Sequence, residues 1–489
     1  MGRQLKQRYH DLALPVKASI WFVICGVLKD IVDVLMTPVF TRILTAEQYG
    51  IYNVYNSWFQ IAKIVLTLYL FSDVFNVGLV KFEKDRDRFI SSTLGFVTAS
   101  VVFFFGIYLV LSRFLNRLIG LPEFLTVLLF AHVIVYVPYY CWIRRERFDY
   151  HYKPVVAVSL LYIILQPLTG IIAILYLQIP INPGHTRIVS AVGVQIAIGC
   201  ILYAGMMQRG RTFYDRRYWK YSLKTGIELV PYNLSKVVLN QSDRIMINLY
   251  NGTGDTGIYS VAHSAAFVLQ VLTEALNGAF VPWLYRKLKE KQLEGTRETI
   301  NGLLLLVAAG ALGIELIAPE IMRILGSDSY YQGVNCIPAL VYSVYLIFVY
   351  TLFTNVELFF GQNAYVTAAS TVGMIANIVL NAVFIPRYGF VAAGYTTMAS
   401  YMVICISHYF LLGKCLKKER MVSGTLVDFR FLIATSLFLL VPTLLSVYIY
   451  RWMVLRWCIV VFMLIILAAT GKKWTGILKG MKEGNDNGQ

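Results

Sequence analysis

Runs of about 20 mostly apolar residues recur along almost the whole chain, and that is the length a helix needs to cross the hydrocarbon core of a bilayer. Fourteen such runs can be marked: Pro15–Val39, Gly50–Ser72, Ile90–Leu111, Pro122–Ile143, Pro154–Tyr176, Ile188–Met207, Thr225–Leu249, Gly257–Leu284, Ile300–Ile317, Val334–Leu358, Tyr365–Ile385, Phe390–Leu412, Phe431–Tyr450 and Met453–Thr470. The last two are the weakest, because Arg451 and Arg456 crowd their junction. The segments between runs are too short to fold as domains of their own. Only 15% of the 489 residues are charged and 57% are hydrophobic, whereas a soluble domain carries about 25% charged residues. The expected fold class is therefore an all-α polytopic membrane protein with about 14 transmembrane helices. This excludes a secreted disulfide scaffold, a coiled coil, a disordered chain and a two-domain soluble enzyme.

The remaining composition fits that class. Seven cysteines show no CxxC or Cys/His spacing, so they read as small buried hydrophobes, and no metal site is expected. The basic and then apolar start resembles a signal peptide. Without a small-residue cleavage site, and with Lys29, Asp30 and Asp33 interrupting the run, it reads as a retained first span.

Net charge is +17, which in a soluble chain would suggest nucleic acid. The distribution says otherwise. With the N-terminus placed inside, 32 of the 44 Lys and Arg residues fall on cytoplasmic segments, 8 on the outer side and 4, Lys29, Lys63, Lys236 and Arg244, inside spans. That asymmetry predicts both termini in the cytoplasm, an even span count and no nucleic-acid partner. The tail residues Trp474, Ile477, Leu478 and Met481 have helical spacing among lysines, which suits either an interfacial helix or a solvated tail.

An internal repeat organises the spans. Gly50-Ile51-Tyr52-Asn53-Val54 recurs as Gly257-Ile258-Tyr259-Ser260-Val261, and at the same offset of 207 residues Lys29 matches Lys236. Both motifs open an even-numbered span, so the halves enter from the same side as a parallel repeat. The expected organisation is an N-terminal lobe over 1–207 (spans one to six), a cytoplasmic linker over 208–224 and a C-terminal lobe over 225–413 (spans seven to twelve). Spans thirteen and fourteen with a cytoplasmic tail follow over 414–489.

Charges inside the spans need a reason, since each costs at least about 2.5 kcal/mol at mid-bilayer. Lys29, Lys63 and Lys236 lie within about 3 Å of the centres of spans one, two and seven by helix rise. Polar residues share their faces: Asn233, Asn240 and Arg244 with Lys236, and Tyr52, Asn56, Gln60 and Thr67 with Lys63. Such stripes face protein or a water-filled cavity. Lys29 and Asp33 stand at i and i+4, so a local ion pair is the competing reading there. Embedded acids outnumber embedded bases. Glu228, Glu315 and Glu357 lie near span ends, where snorkelling is expected. Asp33 and Asp243 sit about 9 Å outward of centre, which leaves Asp30 and Glu274 as the acids nearest the central slice. Asp30, Asp33 and Glu274 are candidates to carry a coupling H⁺ or Na⁺. Tyrosines inside spans, including Tyr136, Tyr139, Tyr140 and Tyr162, suit either packing or a sugar.

The segment Thr41-Arg42-Ile43-Leu44-Thr45-Ala46-Glu47-Gln48-Tyr49-Gly50-Ile51-Tyr52 resembles the start of the O-antigen and polysaccharide flippases of the multidrug/oligosaccharidyl-lipid/polysaccharide exporter superfamily. Asn240-Gln241-Ser242-Asp243-Arg244 followed by Gly257-Ile258-Tyr259-Ser260-Val261-Ala262 resembles their seventh and eighth spans. The resemblance implies two six-span lobes around a central cavity. It implies alternating access and export of an undecaprenyl-diphosphate-linked oligosaccharide across a bacterial cytoplasmic membrane, with polysaccharide assembly machinery as a further partner. Lys29-Asp30 is similar to a basic–acidic pair in the lipid II flippases, whose basic cavity residues bind diphosphate. On that reading Lys29, Lys63 and Lys236 contact the diphosphate, and Asn56, Gln60, Asn233, Asn240 and Arg244 help to hold phosphate or sugar. No cofactor is expected.

Two other classes compete. A multidrug or cation antiporter of the same fold is favoured by the embedded acids and opposed by the midplane lysines. A membrane glycosyltransferase or polysaccharide polymerase needs a sizeable outer loop, and the outer loops here are short.

Overall fold

The computed structural model of the protein describes residues 13–177, 180–419 and 426–470. The tail residues Trp474 to Met481 lie outside the described residues, as do the basic residues before residue 13. Sixteen α-helices make up the described chain: α1 Leu14–Ile43, α2 Ala46–Thr67, α3 Asp73–Lys81, α4 Arg86–Ile119, α5 Glu123–Phe148, α6 Tyr152–Ile172, α7 Pro183–Gly210, α8 Arg216–Asn251, α9 Thr253–Glu290, α10 Thr296–Leu316, α11 Ala318–Leu325, α12 Ile337–Phe359, α13 Asn363–Tyr388, α14 Phe390–Lys418, α15 Phe429–Ile449 and α16 Met453–Ala469. Apart from the short α3 and α11, one long helix stands on each of the fourteen apolar runs.

Among the described residues ten helices are long and apolar enough to cross a membrane. The other four long helices depart for two reasons. Helix α16 is apolar but has 17 residues. Helices α1, α2 and α8 are long enough and too polar, and they are the three that carry the midplane lysines.

Local chemistry sets the helix ends. The Thr45 hydroxyl accepts from the Gln48 backbone N–H while the Gln48 side chain accepts from the Thr45 N–H, a reciprocal cap that starts α2. Asn182 accepts from the Gly184 N–H, with Pro183 in the first turn, to start α7. Gly50 and Gly257, the heads of the repeated motif, each stand fifth in their helices, α2 and α9.

The chain divides into two compact units, residues 1–241 and 242–489. In the first, α7 packs along α5, α6, α4 and α2. Gly199 lets α7 approach α5 closely, since a Cβ there would sit 2.3 Å from the Val135 carbonyl oxygen. Phe75, Phe82, Phe89 and Tyr218 form an aromatic knot between α3, α4 and the start of α8. In the second unit α12 is the buried axis, packed by α14, α9, α10 and α15.

The crowded junction before α16 resolves as a paired site. Arg456 is 3% exposed and donates two hydrogen bonds to Glu320, at 2.8 and 2.9 Å, and one to the Leu316 carbonyl at 2.6 Å. Two further expectations are corrected. Glu315 and Glu357 do not snorkel: they are 2% and 0% exposed and bonded to Thr443 and His408. Partners on neighbouring helices, absent from the local sequence, hold them inside.

Candidate functional site

The polar stripe of α2 belongs to the first unit. Lys63 is half-buried. Its ammonium sits 5.2 Å from the Tyr136 ring centre and 5.9 Å from those of Phe59 and Phe71, and it donates to the Tyr136 hydroxyl at 3.4 Å. Aromatic faces attract a cation through their quadrupoles without neutralising it. No carboxylate pairs with Lys63 among the described residues, so its positive charge stays uncompensated. Gln60 donates to the Asn56 side chain at 3.4 Å one turn away on the same stripe.

Lys29 on α1 lies within electrostatic reach of Lys63. It also forms the local ion pair, 2.9 Å to Asp33 and 3.9 Å to Asp30. With two carboxylates against one ammonium, this trio has no surplus of positive charge. Tyr140 lies within electrostatic reach of Lys29, and Tyr139 packs edge-on to Tyr140 at 5.2 Å and tilted on Tyr162 at 5.1 Å.

Helix α8 joins α2 through Ser57, which donates to Gln241 at 2.9 Å. Lys236 is exposed on α8 and makes no side-chain bond among the described residues. Asn233 and Asn240 turn back onto their own helix, donating to the carbonyls of Leu229 and Lys236. The first unit therefore gathers Lys29, Lys63, Asn56, Gln60, Asp30 and Asp33, and presents Lys236, Asn233 and Asn240 on α8.

Arg244 belongs to the second unit, where it donates to the Ser260 hydroxyl at 3.3 Å. Glu274 is exposed on α9 and accepts from Gln270 at 2.9 Å. Besides Glu315 and Glu357, the second unit buries a third acid.

Asp243 is 3% exposed and accepts four hydrogen bonds: Tyr259 and Thr397 hydroxyls at 2.6 Å each, and Asn381 and Asn377 amides at 2.7 and 3.2 Å. Ser242 and Thr396 extend the cluster by donating to Asn377 and Asn381. Among the described residues the carboxylate is held by neutral donors alone, which satisfies a buried charge without cancelling it. The sequence signal for it is the Asn377/Asn381 spacing of four inside an apolar run, which puts two amides on one helix face.

Sequence reasoning also passed over His132. Its ring stacks on Phe59 at 3.8 Å, and its Nδ1 lies 3.2 Å from the Tyr55 hydroxyl, which places it behind the Lys63 cage.

The family model for polysaccharide biosynthesis proteins matches residues 16–287, more than half of the chain. The chain belongs to that family. Among curated proteins, Haemophilus influenzae Lsg locus putative protein 1 is 29% identical over 162 residues, 32% of this chain and 39% of that relative. The match thus spans about two-fifths of the relative's length. Among solved structures, the lipid II flippase MurJ in an inward closed conformation superposes with a TM-score of 0.66 at 12% identity, covering 93% of this chain and 99% of that one. An inward-facing multidrug resistance MATE family transporter gives 0.56 at 12% identity, covering 82% and 99%. At such identities these likenesses establish the fold, which is the two-lobed transporter fold expected from the repeat. This family member is a multi-pass membrane protein, with ten helices among the described residues long and apolar enough to cross a membrane, and the two solved structures it resembles are a flippase and a transporter.

Proposed function

We propose that this family member flips an undecaprenyl-diphosphate-linked oligosaccharide from the inner to the outer leaflet of a bacterial cytoplasmic membrane, by alternating access, for cell-surface polysaccharide synthesis. The observation that carries this reading is the uncompensated Lys63 ammonium, held over three aromatic rings on α2. A lipid diphosphate is a doubly charged anion, costly to move through an apolar medium, and a cation at mid-depth offsets that cost. Lys236 supplies a second such charge from α8, and Lys29 a third that Asp30 and Asp33 moderate. Asn56, Gln60, Asn233, Asn240 and Arg244 offer hydrogen bonds to phosphate or sugar. Attraction has to stay moderate for release, which suits a site with few fixed charges. On this reading both termini are cytoplasmic.

Coupling to H⁺ or Na⁺ through Asp30, Asp33 or Glu274 belongs to the same proposal. Amide variants of all three that leave transport and its ion dependence unchanged remove it. A cation antiporter is the second reading, favoured by the likeness to the MATE transporter and opposed by the lysines.

The test is glycan export in cells complemented with variants, with membrane levels of each variant as control. Lys63→Ala and Lys236→Ala should each cripple export at normal membrane level, and Lys236→Arg should retain part of it. Normal export by a Lys29/Lys236 double Ala variant would overturn the site.

A further inference from the structure

Four arginines stand where α4 begins and α5 ends, and the acids around them are shared unevenly. Arg86 pairs with Asp149 at 2.8 Å, and Arg145 with Asp87 at 2.9 Å. Glu146 lies 3.0 Å from His151 and 4.0 Å from Arg145. Arg144 and Arg147 form no ion pair among the described residues. Arg144 is half-buried, donates to the Ser72 hydroxyl at 3.3 Å, and its Nε is buried without a hydrogen-bond partner. Arg147 is exposed, and its guanidinium lies 4.7 Å from the centre of the Phe22 ring on α1. The two arginines are within electrostatic reach of each other. Like charges held together repel, and the neighbouring acids are engaged elsewhere.

The pair is continuous with the Lys63 site. On α5, Tyr136, Tyr140, Arg144 and Arg147 fall within about 80° of one another at 100° per residue. Tyr136 accepts the Lys63 hydrogen bond, and its ring is 4.3 Å from that of Tyr140. Arg144 is within electrostatic reach of Tyr136, and Arg147 of Tyr140. On α1, Phe22 and Lys29 stand seven residues apart and share a face likewise. By helix rise the two arginines stand about 12 to 17 Å from the level of Tyr136. No acid stands on α5 between the two levels. On the reading proposed above, the arginine end is the cytoplasmic one.

An anion with two charged groups would relieve the repulsion. A guanidinium fork presents paired N–H donors that match two phosphate oxygens at once. Two forks therefore suit two linked phosphates, and neither has a carboxylate to give up first. We propose that Arg144 and Arg147, between α1 and the last turns of α5, form a loading subsite for the diphosphate of the lipid-linked substrate. The headgroup binds there first and then moves along the tyrosine stripe to Lys63 and Lys29. The identity and direction of the cargo rest on the flippase reading. A phospholipid phosphate has the same chemistry, so the test separates the two sources.

The test uses the purified full-length protein in phosphatidylcholine nanodiscs and measures binding of geranylgeranyl diphosphate. Arg144→Gln/Arg147→Gln should weaken it about tenfold or more, since charge-assisted bidentate bonds are lost. Arg144→Lys/Arg147→Lys should recover part of the affinity, because lysine keeps the charge without the fork. Lys84→Gln/Arg88→Gln removes two exposed charges near the same end and should leave affinity within about twofold, as screening predicts. Equal loss in the two glutamine pairs would reduce the effect to net charge and overturn the subsite. So would an Arg144→Gln/Arg147→Gln protein that binds like the natural chain. Competition by phosphatidylglycerol at equal concentration, lost in that same variant, would make the pair a phospholipid anchor and overturn it too. The single variant Arg147→Gln, at an exposed position, should keep the natural melting temperature and lose part of the affinity; full affinity there overturns the two-arginine site. Glycan export in complemented cells separates this proposal from the flippase reading. Export lost in Lys63→Ala, with diphosphate binding untouched by the arginine changes, keeps the flippase and discards the subsite. Normal export in Lys63→Ala, with binding lost in Arg144→Gln/Arg147→Gln, discards the flippase reading and keeps a diphosphate site.

Discussion

Arg456 and Glu320 meet end-on, the two terminal guanidinium nitrogens against two carboxylate oxygens, with the arginine buried and the glutamate partly exposed. The asymmetry sets what each substitution does. Removing Glu320 leaves a buried guanidinium with only the Leu316 carbonyl, which should cost about 3 kcal/mol or more. Arg456→Met keeps the apolar stem and lets Glu320 turn to water, so it should cost less. Thermal unfolding of Glu320→Ala and Arg456→Met side by side checks the order, and a larger loss for the methionine variant would show that the pair does not anchor α16.

The Asp243 cluster makes a second prediction. Four donors converge on one carboxylate, so Asp243→Asn presents an amide where acceptors are needed and strands donors in a buried place. Each stranded group costs about 1–3 kcal/mol. Asp243→Asn should therefore lower the melting temperature clearly, while Glu274→Gln, on an exposed glutamate of α9, should leave it within error. Equal melting temperatures for both variants would contradict the hydrogen-bonding described for Asp243.

That contrast also shows what the sequence could and could not tell. Every long helix stood on an apolar run, because the length rule for a spanning segment is set by the bilayer and not by tertiary contacts. The lysines of α1, α2 and α8 were legible for the same reason: charge in an apolar run is conspicuous. The partners were not. Depth along a helix says nothing about which face a neighbour covers, so Glu315 and Glu357 read as end-of-span acids, although Thr443 and His408, 128 and 51 residues away, hold them inside. The Lys63 cage was hidden likewise, since Tyr136 comes from α5 and only Phe59 shares its helical face locally. The Lys29–Asp33 pair, four residues apart, was visible because it is local.

Two carboxylates outside the spanning helices make the stability of the second unit pH-dependent. Hydrogen bonding from Arg297 holds the Asp428 carboxyl below its usual range, and the same side chain caps α15 by accepting from the Phe431 N–H. Burial pushes Glu320 up, but the bonds from Arg456 outweigh it and leave that carboxyl lowered. A lowered carboxyl contributes stability that is complete above the ordinary carboxylate range and is lost as pH falls through the lowered value. Stability should hold from neutrality down to the usual range near 4 and fall below it. Asp428→Ser keeps a capping oxygen without the charge, so it should flatten part of that acid limb while changing little at pH 7. An unchanged acid limb in Asp428→Ser would mean that the Arg297 contact adds nothing in solution.

Two glycines of α4 provide a controlled test of packing. At Gly95 a Cβ would lie 2.1 Å from the Phe213 carbonyl oxygen, and at Gly106 it would meet nothing within 4 Å. Both are interior positions of one helix, so the intrinsic gain from Gly to Ala, about 0.5–1 kcal/mol, applies to each. At Gly106 nothing opposes it, and Gly106→Ala should be neutral or slightly stabilising. At Gly95 the added carbon collides with backbone. The segment it strikes is fixed by the Thr212 N–H donating to Ser91 at 3.3 Å and by Trp219 donating to the Ser92 carbonyl at 3.1 Å. The segment cannot step aside without losing these bonds, so Gly95→Ala should cost about 1–3 kcal/mol, the usual cost of overpacking. The measurement is the difference in melting temperature between the two alanine variants. A Gly95→Ala protein as stable as Gly106→Ala would show that the connection before α8 is not seated on α4 as the structure places it.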